Sequence, residues 1–523
     1  MLSLILMTLK GLILLAGGVF GFAALLREKD AAWVKRAPFW ILTGMFAIGM
    51  WGHFYQIVAA ALVLALPLLA RGRADAAALY CLLVVSVPLM TLPIQVGGLY
   101  LITADKYLFC AIGLTIAFMM NRGNDEVLRR AHFGVPILII VVLELSQARD
   151  PSLTATIRQG LPALLTILLP YFILSRCLNN AEDVRRFLLA FVLAGFAMAV
   201  IATVEARLHW LIYQQIEGRL GVHVAINGYA KMRAGILRAP ASFPESTTLG
   251  TFLALSFMAA LAIRDSFASR NKWYLVLLVL LSGLVSANSR GAFIALAVGL
   301  LAWDIYCRRY TSLALKAVAA GGIYLFALFA AQFSAFFAAM VGKGSGTAAT
   351  TDYRIRLLHR GMEEIHKHPY LGQNLKTALS HLEDLRQGEG IIDIVNGYIN
   401  YGLTLGYPGI IGLALAFVSL AGAMWAARNK LRLNPGLMEP AACVFAVGML
   451  SILNSFFTGF GGVISTSFYQ ICALGSALWA MRGLAPAAQS GSGAAGAAPP
   501  LSGLAAMIAA DRARAKAGAV AQG

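Results

Sequence analysis

The stretch FLLAFVLAGFAMAVIATVEA, at residues 187–206, decides the fold class of this protein. It carries a single charged residue, and an α-helix needs about 20 apolar residues to cross the hydrocarbon core of a bilayer. Similar stretches predict further spans, so with the ambiguous run 38–70 we expect about 12 to 15 transmembrane helices. The approximate bounds of these further stretches are 3–26, 38–52, 54–70, 76–95, 104–120, 133–147, 160–175, 247–263, 273–287, 291–307, 312–340, 403–427, 440–457 and 463–481.

The composition of the whole chain supports the same class. Of 523 residues, 59% are hydrophobic and only 13% are charged, whereas soluble proteins carry about 25% charged residues. The mean hydropathy is +0.74. Too few polar residues are present to cover several soluble cores, which excludes a soluble enzyme, a disordered scaffold and a secreted disulfide module. The sequence predicts an all-α polytopic membrane bundle.

The positive net charge of +18 fits such a bundle, because Lys and Arg accumulate in cytoplasmic loops. A nucleic-acid partner is therefore not expected. None of the six cysteines forms a CxxC pair, so neither a zinc site nor a disulfide framework is indicated. We interpret the apolar N-terminus as the first helix rather than as a cleaved signal peptide.

The basic connectors orient the chain, and they leave two long segments on the outer side, at residues 207–246 and 341–400. Irregular backbone cannot face lipid inside the bilayer, so both segments must lie above the membrane or line a cavity. The Ala-, Gly- and Pro-rich tail is typical of a flexible cytoplasmic linker. The predicted regions are N-terminal helices at 1–186, a catalytic region at 187–427, C-terminal helices at 428–482 and the tail at 483–523.

An arginine lies on the outer side within Ser289-Arg290-Gly291, against the bias of basic residues towards the inside. An interfacial arginine often only snorkels to the membrane surface, but an ionisable residue at membrane depth is a functional candidate. Because these residues open a helix, free backbone N–H groups and the guanidinium of Arg290 could meet on one phosphate.

The first outer segment adds basic residues, among them Arg233 and Arg238, and few acids. We expect Ser246 or Thr247 to cap the helix that follows. Glu245 would then lie at the helix start, where a carboxylate is stabilised, or it would serve as a base or as an acceptor of a sugar hydroxyl.

The second outer segment predicts a short surface helix ended by Pro369 and Gly372. Its histidines, including His381, have no zinc-binding spacing, and HExxH is absent, so no metal is expected. Asp393 lies at an outer boundary, where an acid is often simply solvated. Three further residues could bind sugar hydroxyls or only each other: Asn396, Tyr398 and Asn400. Arginines from several segments suit a phosphate, and a lipid diphosphate is an obvious phosphate compound borne by a membrane.

These residues resemble the O-antigen ligase and O-antigen polymerase family, over roughly residues 187–427. Four stretches in order carry the resemblance: Arg238 to Phe243-Pro244, Ser289 to Ala292, Arg354 to His368-Pro369-Tyr370-Leu371-Gly372, and Asn396-Gly-Tyr-Ile to Gly406-Tyr-Pro-Gly409.

The resemblance implies a helical glycosyltransferase of GT-C-like architecture, without cofactor or metal, in the bacterial inner membrane. It would take an oligosaccharide from undecaprenyl diphosphate on the periplasmic face, and a base would deprotonate the acceptor hydroxyl for an inverting attack. Membrane lipid, a chain-length regulator and export proteins are the further partners implied. The diphosphate would be bound by Arg290 and Arg238, with Arg354, Ser289 and Arg233 as further candidates.

One departure from the family concerns the base. The family commonly has His-Asn-x-Tyr, whereas this chain has Val395-Asn-Gly-Tyr398, like exopolysaccharide polymerase-like members. Asp393 is therefore our first candidate for the base, followed by Glu245 and His381. The missing histidine favours a polysaccharide polymerase over a ligase that transfers the glycan to lipid A core or protein. A transporter or flippase is less consistent with polar residues outside the midplane and with the lack of repeats.

Overall fold

The computed structural model describes residues 2–52, 54–97, 99–121, 130–149, 152–214, 216, 232–233, 235–343, 345–387 and 392–483. The predicted tail at 484–523 and residues 217–231 of the first outer segment lie outside the described residues.

The N-terminal half consists almost entirely of helices. Their bounds are α1 Leu2–Leu25, α2 Glu28–Val34, α3 Ala37–Trp51, α4 Tyr55–Leu69, α5 Arg73–Ser86, α6 Lys106–Met120, α7 Val135–Gln147, α8 Leu153–Ala163, α9 Leu169–Cys177 and α10 Ala181–Leu208. A single π-helical turn, Leu164–Leu168, joins α8 to α9. Two antiparallel hairpins are formed by β1 Thr91–Val96 with β2 Leu99–Asp105, and by β3 Met232–Arg233 with β4 Ile236–Leu237.

The C-terminal half is also helical. The bounds are α11 Ser246–Ala262, α12 Arg270–Ala287, α13 Arg290–Cys307, α14 Tyr310–Ala330, α15 Ala335–Val341, α16 Ser345–Lys367, α17 Leu375–Ser380, α18 Gly397–Leu405, α19 Tyr407–Leu431, α20 Pro435–Asn454 and α21 Gly462–Met481.

Many of these helices are suited to a membrane. Among the described residues, 8 helices are long and apolar enough to cross a bilayer, and α4, α6, α7 and α11 are shorter apolar helices. The protein is therefore a multi-pass, all-α membrane bundle, as predicted.

Helix α10 lies at the centre of the bundle, where it packs against α1, α5, α11 and α12. Small residues allow this close packing. A Cβ atom at Gly195 would lie 2.4 Å from the side chain of Ser256, and one at Gly283 would lie 2.5 Å from that of Ala199. The predicted span 187–206 is thus the axis around which the other helices assemble.

The contacts between connectors define one end of the bundle, which we call the site end. There α5, α10, α12 and α20 finish, and α6, α11, α13 and α21 begin. The hydroxyl of Ser242 donates to Val85 O (2.6 Å), and the backbone N–H of Gly397 donates to Ser455 O (2.7 Å). At the opposite end, Arg185 forms an ion pair with Asp30.

Two predicted spans are wrong in detail. The span at 76–95 is instead α5 followed by the β1–β2 hairpin, because Pro88 and Pro93 cannot continue a helix and Gly97 turns the chain with a φ of +58°. The span at 312–340 is interrupted between α14 and α15. The predicted short surface helix is α16, which is 23 residues long.

Candidate active site

Four arginines from separate elements meet at the site end, and we call them the arginine cluster. Arg233 ends β3, Arg238 follows β4, Arg290 begins α13 and Arg354 lies in α16. Burial and, to a smaller extent, the charges of the other three arginines together lower the pKa of Arg233 to about 9. Like charges act in this way only at short range, so the predicted convergence of Arg238 and Arg290 is present in the fold.

Hydrogen bonds to backbone carbonyls at the ends of two helices fix the segment that carries Arg238. The N–H of Ala239 donates to Ser286 O at the end of α12 (3.1 Å), and Ser242 is bound to Val85 at the end of α5. The Nε of Arg238 is buried and has no hydrogen-bond partner in the described part of the chain. A buried donor without a partner destabilises the folded protein. An anion that accepts a hydrogen bond from this Nε would remove that cost.

Glu205, near the end of α10, also fixes the segment that carries Arg238. Its buried carboxylate accepts backbone hydrogen bonds from Ile212 (3.0 Å) and Ala241 (2.9 Å). Ala241 adopts a φ of +50°, which is uncommon for a residue with a side chain. Glu205 is not among the residues predicted from the sequence, although a lone acid in an apolar span is a recognised signal of function.

Arg290 begins α13 as predicted, with Ser289 as the N-cap residue. Ser289 is buried, and its side chain makes no capping hydrogen bond. The guanidinium of Arg290 reaches the turn between α15 and α16, since a Cβ atom at Gly342 would lie 2.9 Å from its Nη1. Arg290 therefore joins the start of a membrane helix to the second outer segment.

Arg354 is placed beside both carboxylate candidates. Burial and the charge of Arg290 lower the pKa of Arg354, while the charges of Asp393 and Glu245 raise it. The hydroxyl of Tyr353, the neighbouring residue, donates to Asp393 O (3.0 Å) and accepts from Asp393 N (3.0 Å). These contacts tie the 392–396 segment to α16 at the arginine cluster.

Glu245 also lies near Arg238. Burial lowers the pKa of Arg238, and the charge of Glu245 opposes this effect, whereas those of Arg354 and Arg290 add to it. Glu245 itself is the N-cap residue of α11, so the prediction that Ser246 or Thr247 caps this helix is wrong. The hydroxyl of Thr247 instead donates to Glu245 Oε2 (3.0 Å) and orients the carboxylate.

His381 lies outside the arginine cluster. Its Nδ1 is 2.6 Å from Oε1 of Glu364, ten residues beyond Arg354 along α16, which corresponds to about 15 Å of helix. Glu364 is also bound by Lys367 (2.7 Å) and Gln373 (2.7 Å). The structure therefore gives His381 a partner in a separate network and does not bring it to Asp393 or Glu245.

The three predicted sugar-binding residues differ in their environments. Asn396 caps α18, because its Oδ1 accepts from the N–H groups of Tyr398 (2.9 Å) and Ile399 (3.2 Å). The hydroxyl of Tyr398 donates to Ile452 O (2.8 Å). Asn396 and Tyr398 thus each support the fold, and their binding of sugar hydroxyls stays a prediction. The half-buried side chain of Asn400 makes no hydrogen bond within the described residues.

No group of three or more His, Cys, Asp or Glu residues that could hold a metal ion is found among the described residues. The described site brings together four guanidinium groups and two carboxylates. Guanidinium groups can bind a diphosphate by paired hydrogen bonds, and a carboxylate can take a proton from a hydroxyl.

Residues 275–414 match a family model described as O-antigen ligase. The match includes Arg290, Arg354 and Asp393, but not Arg233, Arg238 or Glu245. It confirms the family resemblance drawn from the sequence and supports a membrane glycosyltransferase of the O-antigen ligase or polymerase type. No curated protein matches the chain.

Proposed function

We propose that this O-antigen ligase-type chain polymerises undecaprenyl-diphosphate-linked oligosaccharide repeat units into an exopolysaccharide, a capsule or an O-antigen. One observation carries the proposal: four arginines and two carboxylates from separate elements meet at one end of a membrane bundle. A lipid diphosphate is the anionic ligand that reaches such a place from within the bilayer.

The arginine cluster would bind the diphosphate of the donor. The Nε groups of Arg238 and Arg354, which have no hydrogen-bond partner among the described residues, would gain hydrogen bonds from a bound diphosphate. Fixed positive groups in a site shielded from water stabilise the charge that develops on a leaving group. The cluster would therefore stabilise the transition state, in which undecaprenyl diphosphate departs, more than it stabilises the bound donor.

The reaction proceeds in one displacement. The acceptor hydroxyl oxygen attacks the anomeric carbon, its proton passes to a carboxylate, and the bond from the anomeric carbon to the diphosphate oxygen breaks. The electron pair of that bond leaves with the diphosphate, and the configuration at the anomeric carbon inverts.

Asp393 remains the first candidate for the base and Glu245 the second. Both lie beside Arg354, so either could reach an acceptor bound at the diphosphate. His381 is third, because its ring already pairs with Glu364 at a distance from the cluster.

We place the site end at the periplasmic face of the bacterial inner membrane. This orientation follows from the positive-inside rule, since basic connectors such as 176–186 and 264–272 belong to the opposite end. The lipid-linked oligosaccharide and membrane lipid are the expected partners.

A ligase is the second candidate, and the description of the matching family model favours it. It would use the same donor chemistry but transfer the finished glycan to lipid A core or a protein. A transporter or flippase is not favoured, because the arginine cluster lies at the end of the bundle, whereas transporters bind their substrates near the midplane.

Deletion of the gene, followed by analysis of lipid-linked glycans, tests the proposal. Accumulated single repeat units on undecaprenyl diphosphate, reversed by restoring the wild-type chain, are expected of a polymerase. Long chains that remain unattached would instead identify a ligase. Unchanged lipid-linked and surface glycans would contradict both functions.

A further inference from the structure

A cavity of about 270 Å³ opens between the turn from α7 to α8 and the segment before α17. Its lining is polar and rich in amides: Gln147, Arg149, Gln159, Gln373, Asn374, Leu375 and Thr404. We propose that this cavity is a glycan subsite that binds one saccharide unit of the lipid-linked oligosaccharide. The inference rests on the proposed function and extends it to a second contact with the substrate.

The chemistry of the lining suits a sugar. A side-chain amide presents two donors and an acceptor, and the hydroxyl groups of a sugar ring require donors and acceptors side by side. The amides of Gln147 and Gln159, which belong to different helices, make no hydrogen bond within the described part of the chain. Binding pockets for drug-sized ligands begin at about 300 Å³. The cavity of about 270 Å³ is slightly smaller, which suits a ligand of the size of a single sugar ring.

One wall of the cavity is held in place by hydrogen bonds. The guanidinium of Arg149 donates to Thr404 O, and the backbone N–H of Gln373 donates to Leu403 O (2.9 Å). The side-chain nitrogen of Gln373 donates to Glu364 Oε1. The donor group of Gln373 is thus fixed, and its carbonyl oxygen remains as an oriented acceptor for a hydroxyl.

The family-like stretch His368 to Gly372 builds this wall. Pro369 O accepts a hydrogen bond from Tyr407 N (2.8 Å). Gly372 has a φ of +57° and contacts the end of α18 so closely that a Cβ atom would lie 2.4 Å from Leu405 N. Only glycine allows this approach, which delivers Gln373 to the cavity. The stretch therefore has a role that the arginine cluster does not explain.

The position of the cavity fits a glycan that starts at the arginine cluster. Gln373 is bound to Glu364, which lies about 15 Å along α16 from Arg354. A sugar several positions away from the diphosphate would reach the cavity. Among the described lining residues, Arg149 is the one that carries a charge, and its guanidinium binds Thr404 O, so this lining suits a neutral sugar better than a diphosphate.

Direct binding to the purified full-length chain in detergent micelles tests the subsite. The probes are oligosaccharides released by partial acid hydrolysis of the surface polysaccharide of the source bacterium, and saturation-transfer NMR measures their affinity. The double variant Gln147→Leu with Gln159→Leu should bind at least tenfold more weakly than wild type. Gln332→Leu, which changes an exposed glutamine between α14 and α15, should bind like wild type.

Equal binding by the double variant and wild type would overturn the subsite, and so would absence of binding to wild type. Arg354→Ala should keep its affinity for the free oligosaccharide, because that probe carries no diphosphate. Gene deletion tests the proposed function separately: sugar binding that depends on Gln147 and Gln159 would stand even if deletion left the cell's glycans unchanged.

The polymers made by the double variant distinguish two sources of the bound sugar. Loss of long polymers with short ones retained would assign the cavity to the growing donor glycan. Loss of even the first dimer would assign it to the single-unit acceptor.

Discussion

The carboxylate of Glu205 accepts a hydrogen bond of 2.9 Å from the backbone N–H of Ala241, three residues beyond Arg238. Because the other oxygen accepts from Ile212, this one side chain ties the end of the central helix α10 to both sides of the first outer segment. Glu205 therefore helps to position Arg238. Among the described residues, Glu205 forms no hydrogen bond with an arginine of the cluster.

Glu205→Gln tests this dependence. The amide nitrogen would face a backbone N–H in place of an acceptor oxygen, and leaving a buried donor unpaired costs about 1–3 kcal/mol. We expect a raised KM for the lipid-linked donor with a smaller change in kcat, since Arg238 is displaced but not removed. The measurement is polymerisation in membranes at varied donor concentration.

The matched control for Glu205→Gln is Glu363→Gln, an exposed acid on α16, which should behave as wild type. Partial recovery of donor affinity by Glu205→Asp would support a positioning role. An equal fall in kcat and in the amount of folded protein would indicate only lost stability.

Arg290→Lys should nearly abolish polymer formation at normal protein levels. Lysine keeps the charge but cannot make the paired hydrogen bonds of a guanidinium with a diphosphate. Gel analysis of polymer length with immunodetection of the chain in membranes measures the effect. Arg360→Lys, an exposed arginine on α16 paired with Asp384, is the control. Normal polymer lengths in the Arg290 variant would contradict the role in diphosphate binding.

Asp393→Asn and Glu245→Gln together assign the base. Removal of the base should reduce the rate by about 10²–10⁴-fold, while the donor still binds and lipid-linked repeat units accumulate. We expect this result for Asp393→Asn and a weaker effect for Glu245→Gln. Mass spectrometry of extracted lipid-linked glycans distinguishes them. An active Asp393→Asn enzyme combined with an inactive Glu245→Gln enzyme would transfer the role to Glu245.

The stability of the chain should depend on pH through Glu364. Burial alone would raise the pKa of this carboxyl, but hydrogen bonds from Lys367, His381 and Gln373 lower it from 4.5 to about 2. A lowered folded-state pKa contributes stability above pH 4.5 that is lost as the pH falls towards 2. The Tm difference between wild type and Glu364→Gln should be larger at pH 5 than at pH 3. A difference that is unchanged at pH 3 would contradict this.

Much of the fold follows from hydropathy alone. The stretch 187–206 became the buried axis of the bundle, and the predicted helix starting at Arg290 is the observed one, because each is decided by local composition. The arginine cluster was predictable for a related reason: an arginine on the side where basic residues are disfavoured needs an anionic partner.

Other features depend on tertiary contacts that local patterns do not encode. The pairing of β1 with β2 was hidden by the apolar character of 76–95, which suits a helix and a strand equally. The assignment of His381 to Glu364 depends on how the chain folds back after Gly372. Asn396 caps α18 and Tyr398 contacts α20, and the local sequence pattern did not predict either contact.

The Nη1 atom of Arg290 lies 2.9 Å from the point where residue 342 would carry a Cβ atom. Gly342 has a φ of +89°, so a larger residue there would meet both an unfavourable backbone and the guanidinium. A genetic screen for cells that have lost their surface polysaccharide should therefore recover substitutions of Gly342 as well as substitutions of Arg290. Such alleles would resemble arginine knock-outs although every arginine codon is intact.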